Sequence, residues 1–154
     1  MSDQEFPRQA TFLIEKEDWG SVRLADGTLI DVRFVLADLV ITGEDLLGSQ
    51  AVMGHTVLVR TRALPALIKE FAGKPPVPDT PIPMTEAEGF ERIEIQDVAK
   101  PIESIYSFEG THGKYLLSVK VNIHSVVRNK RFKTLNGSPV YNIRWVLDYR
   151  ITKV

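Results

Sequence analysis

Leu117, Val119, Val121 and Ile123 alternate with Ser118, Lys120, Asn122 and His124. That is the period-two pattern of a strand with one buried face. Tyr141, Ile143, Trp145, Leu147, Tyr149 and Ile151 repeat it against Asn142, Arg144, Asp148, Arg150 and Thr152, and only Val146 interrupts the polar face. Asn136-Gly137 lies between the two runs. The dipeptide suits a type I′ hairpin turn, which needs positive φ at both central residues. Folding the chain there sets Phe132 opposite Tyr141 and Val127 opposite Val146, and it pairs Arg131 with Asn142 and Asn129 with Arg144. Continued inward, it would set Ile123 against Arg150. The alternation breaks at Ser125-Val126-Val127, so a β-bulge is expected there, with the tip beyond it projecting into solvent.

Shorter patterns fill the N-terminal half. Residues 12–15 and 22–24 read as strands, and Ala25-Asp26-Gly27 reads as a turn. Ile30, Val32, Phe34 and Leu36 form a further alternating run with a break near Asp38, and residues 52–60 form another strand. Residues 27–42 and 113–129 share an outline, with Val32-Arg33-Phe34 falling on Val119-Lys120-Val121, which raises the question of a weak internal repeat. Leu64, Leu67, Ile68 and Phe71 have helical spacing, with Pro65 in the first turn and Gly73 at the end. The proline-rich stretch 73–83 reads as a connector between two β-rich halves. Thr85 with Glu88 resembles a capping box, and strands follow from Ile93 and across 102–108. The expected fold is mainly β: an antiparallel barrel or strongly bent sheet with one short helix and a long, projecting C-terminal β-hairpin. All 154 residues are expected to form a single domain.

Composition limits the function classes. Hydrophobic residues make up 44% and charged residues 25%, as in an ordinary soluble globular protein. No apolar run is long enough for a membrane helix, and the polar, acidic start lacks the features of a secretory signal. Cysteine is absent, which removes disulfides, thiolate chemistry and cysteine metal sites, and a cytoplasmic location is expected. The formal net charge of −1 does not describe a molecule that is basic throughout. The charge is nevertheless segregated. Residues 110–147 contain no acid, whereas Glu86, Glu88, Glu91, Glu94, Asp97, Glu103 and Glu109 precede them. Such segments form a binding patch or neutralise each other within the fold or across subunits.

No phosphate loop, dinucleotide fingerprint or nucleophile elbow is present. His55, His112 and His124 lack metal-ligand spacing, and Glu15, Glu17 and Asp18 read as solvated acids, so no catalytic residue, metal or cofactor is assigned. The candidate interaction residues are Arg128, Lys130, Arg131, Phe132, Lys133 and Arg144 at the basic hairpin tip. The preferred reading is a non-enzymatic β-domain that associates with protein, as a homo-oligomer. The alternatives are nucleic-acid binding through that tip, and a small-ligand or enzyme site in a barrel mouth with Glu15, Asp18, His55 or His124 around it.

Overall fold

The computed structural model describes residues 6–45, 48–78 and 89–154. Ten strands and one helix follow in the order β1 (Arg8–Gln9), β2 (Phe12–Glu17), β3 (Gly20–Leu24), β4 (Leu29–Glu44), β5 (Ser49–Arg62), α1 (Pro65–Phe71), β6 (Phe90–Ile93), β7 (Ile95–Lys100), β8 (Glu103–Gly110), β9 (Gly113–Lys133) and β10 (Pro139–Lys153). Among the described residues they form two antiparallel sheets, and no closed barrel is seen there. One runs β5-β4-β3-β7, with β1 beside the far end of β4. The other runs β10-β9-β8-β2, with β6 beside the far end of β9. The two orders are the same. Each half also lends a strand to the other: β2 pairs with β8, and β7 pairs with β3.

The alternation read from the sequence supplies the core. Ile30, Val32, Phe34 and Leu36 are buried along β4. An extra residue at Ala37 then reverses the phase, so that Leu39 and Ile41 take over the same face. On β9 the buried residues Tyr115, Leu117, Val119 and Val121 precede an extra residue at His124, and Val126 follows in the new phase. Ala37 lies five positions beyond Val32 and His124 five beyond Val119, so the two bulges occupy matching places. The C-terminal bulge thus sits one residue before the expected break. Gly20 begins β3 because a Cβ there would stand 2.6 Å from the Ile102 backbone.

The helix begins at Pro65, whose fixed φ suits a first helical position, and buries Leu67 and Phe71. The stretch carrying Thr85 and Glu88 lies outside the described residues.

The C-terminal hairpin differs from the expectation in its turn and register. Gly137 has φ +91°, while no described non-glycine residue has positive φ, so Asn136 does not adopt type I′ geometry. Thr134 N donates to Ser138 O and Gly137 N donates to Thr134 O, closing a three-residue loop with glycine in the left-handed position. Pro139 then pairs with Lys133, but Tyr141 pairs with Arg128, leaving three extra residues on β9. Asn129 Oδ1 holds that wide bulge by accepting from the amides of Arg131 (2.7 Å) and Phe132 (3.0 Å). Phe132 therefore does not face Tyr141. Asn142 lies opposite Val127, not Arg131, and Arg144 lies opposite Ser125, not Asn129.

Candidate functional site: the hairpin and the open sheet edges

Because of the shifted register, Arg128 shares a cross-strand position with Tyr141 and enters a polar cluster between the sheets. Its Nη1 donates to Asp26 Oδ2 at 3.0 Å, its Nη2 donates to Glu91 Oε1 at 2.7 Å, and its guanidinium lies 5.4 Å from the Phe71 ring centre. Tyr141 Oη donates to the same Asp26 oxygen at 2.6 Å, and Asp26 Oδ1 accepts from the Thr28 amide. Burial pushes the Asp26 pKa up, but the Tyr141 hydroxyl, the Thr28 amide and Arg128 outweigh it, so the net shift is downward. Burial and the Asp26 carboxylate both push the Tyr141 phenol up. Only 14% of the Arg128 side chain is exposed, so this cation is spent inside the molecule.

The other sheet grips its neighbour in the same way with the sign reversed. Glu44, at the end of β4, accepts from the amides of His112 (2.8 Å) and Thr111 (2.9 Å) in the turn between β8 and β9. Burial raises its pKa, but those two amides, together with the Tyr115 and Thr111 hydroxyls, outweigh that effect and hold the carboxyl below its usual range. Arg8 approaches Glu44 from β1, as Glu91 approaches Arg128 from β6. A Cβ at Gly110 would collide with the Glu44 carboxylate and the Tyr115 ring, so the close approach of the turn requires glycine.

The remaining tip residues have several fates. Lys133 Nζ donates to Ala72 O at 2.8 Å, and the Lys133 backbone bonds to Pro75 and Val77 of the connector. Lys74 Nζ donates to Lys130 O, while the Lys130 side chain is exposed. Phe132 is half-buried and Arg131 is exposed. The helix and connector therefore brace one side of the tip. Arg144 stands apart on the outer face of the second sheet. There Arg92, His124, Ser125, Val127, Asn142 and Arg144 line an open cleft of 560 Å³ without an acid. A smaller cavity of 290 Å³ opens between Val22, Ile95, Ile102, Val121 and Ile123, just below the roughly 300–1,000 Å³ of ordinary small-molecule sites. Glu15 and His55 stand elsewhere: Glu15 accepts from Ser107 Oγ, and His55 stacks on Phe34.

The segregated charge meets itself in the fold. Glu103 lies opposite Lys120, Glu109 opposite Lys114 and Glu91 opposite Arg128. β5 settles its cations in a similar way. Arg60 and Arg62 reach back to Asp31 at 2.9 and 2.7 Å, and Arg60 also covers Trp19.

Sequence reasoning passed over the strand edges. Among the described residues, the long strands β5 and β10 each pair on one side alone, as do the shorter β7 and β2 at the opposite borders of the two sheets. Both long edges leave apolar side chains uncovered, Val52, Leu58 and Val59 on β5 being 60%, 42% and 41% exposed, but on β10 two of the three are aromatic. Trp145, Val146 and Tyr149 are 38%, 53% and 52% exposed, and Arg144, Asp148 and Arg150 form no ion pair among the described residues. The signal was available in the apolar Val146 on an otherwise polar strand face. No described helix is long and apolar enough to cross a membrane. Compared with known proteins, the chain matches no family model, no curated protein and no solved structure.

Proposed function

We propose that this chain works by binding protein through its open sheet edges, and that it does so as a homo-oligomer. The observation that carries this reading is β10: 15 residues of strand with one unpaired edge among the described residues and three large apolar side chains left uncovered. An open, apolar edge is a template for another strand, and main-chain hydrogen bonds provide the affinity. The matching strand orders further support reading the chain as a duplicated unit. Light scattering after size-exclusion chromatography at micromolar concentration tests the proposal. A mass above one chain is expected, and a strict monomer with no protein partner contradicts it.

The acid-free cleft lined by Arg92, His124, Asn142 and Arg144 favours a second reading, nucleic-acid binding, with exposed Lys130 and Arg131 reaching further along the backbone. Titration of labelled DNA and RNA at two salt concentrations tests it. Binding that weakens steeply with salt supports it, and no binding at low salt contradicts it.

A further inference from the structure

We infer that the partner on β10 is the β10 strand of a second copy, paired antiparallel about a two-fold axis at Val146. This inference rests on the association proposed above and assigns it a surface and a register. A two-fold axis makes the interface self-complementary, so the strand must tolerate its own reversed sequence. Centred on Val146, it does. Arg144 of each copy meets Asp148 of the other, giving two opposite-charge pairs from side chains that form no ion pair among the described residues, although Lys120 of β9 stands opposite Asp148. On the core-facing side Trp145 meets Leu147, Ile143 meets Tyr149 and Tyr141 meets Ile151, so every such pair is apolar or aromatic.

Neighbouring registers fail this requirement. Moving the centre to Leu147 sets Arg144 against Arg150, and moving it to Asp148 sets that carboxylate against itself. Centring on Trp145 leaves Asp148 opposite Asn142 and Arg144 opposite Val146. The Val146 register also covers the uncovered aromatics: Trp145 and Tyr149 lie on the core-facing side but at the sheet's border, beyond the reach of their own core. β5 offers no such solution, because its cations are folded onto Asp31 and the strand contains no acid.

The chain has no cysteine, so one introduced thiol reports the axis directly. Directly opposed residues in an antiparallel ladder have Cα atoms about 4.5–5.5 Å apart, within disulfide reach. Val146→Cys is expected to run as a covalent dimer under mild oxidation, and Val52→Cys, on the open face of β5, as a monomer. Arg144→Asp or Asp148→Arg alone is expected to weaken the dimer by about tenfold, through like charges at both pairs. Combining them should restore it, because the charges are then exchanged. Circular dichroism controls for folding. A light-scattering dimer that Val146→Cys fails to crosslink, or a double variant that stays weak, overturns this pairing and leaves the association standing. A monomer throughout overturns both.

Discussion

The two sheets solve one problem with opposite charges. Each long strand reaches across to grip the turn that opens the other sheet's long strand. β4 does so with Glu44, an anion bonded to two turn amides; β9 does so with Arg128, a cation bonded to the turn carboxylate of Asp26. The difference lies in what the turn supplies. The turn at Thr111 and His112 presents N–H groups, which an anion satisfies. The turn at Asp26 has a carboxylate that already caps the Thr28 amide, so its partner must be a cation. The basic grip is also the more heavily built, with Glu91, Tyr141 and Phe71 all engaging the same arginine or its acid. Corresponding strands in matching orders can thus grip with opposite charges from nearby but not identical positions, Glu44 lying seven residues past the Ala37 bulge and Arg128 four past the His124 bulge, provided each charge is answered locally.

That contrast predicts unequal losses. Arg128→Ala removes the cation from two acids, one of them only 12% exposed, and is expected to cost about 3 kcal/mol in urea denaturation. Glu44→Ala leaves two turn amides without an acceptor and is expected to cost about 2 kcal/mol by the same measurement. Tyr141→Phe removes one hydroxyl from Asp26 and should cost about 1.5 kcal/mol, with no change in circular dichroism. Lys133→Met removes an exposed bond to Ala72 O and should cost less than about 0.5 kcal/mol in thermal unfolding.

Acid sharpens the same comparison. The folded pKa values of Glu44 and Asp26 are both depressed, from ordinary values of 4.5 and 3.8. The stability each contributes is present above its ordinary value and is lost as the pH falls through its folded one. Denaturation across an acid pH series should therefore show falling stability. Glu44→Gln should flatten part of that fall, because a side-chain amide does not titrate.

Much of the fold was legible in the sequence, because a half-buried strand writes its period into side-chain polarity. Ile30 to Leu36 and Leu117 to Ile123 gave two long strands, and the broken alternation gave the bulge at His124 to within one residue. The helix from Pro65 followed from four apolar positions. The hairpin register was not legible. Its turn depends on backbone angles at Asn136 that the dipeptide does not dictate, and the wide bulge depends on the Asn129 side chain bonding two amides. The burial of Arg128 follows from that register, so among neighbouring cations it could not be singled out. The exchange of β2 and β7 between sheets was equally hidden, because both strands show a short apolar pattern that fits either sheet.

Whether β10 is a joining edge decides the most, and hydrogen exchange measured at two protein concentrations tests that directly. The inward amides of β10, bonded to β9, should exchange slowly at any concentration. The outward amides around Val146 should be protected at high concentration and exchange faster on dilution, while those of β5 stay unchanged. Outward β10 amides that exchange at one fast rate over the whole concentration range would contradict it.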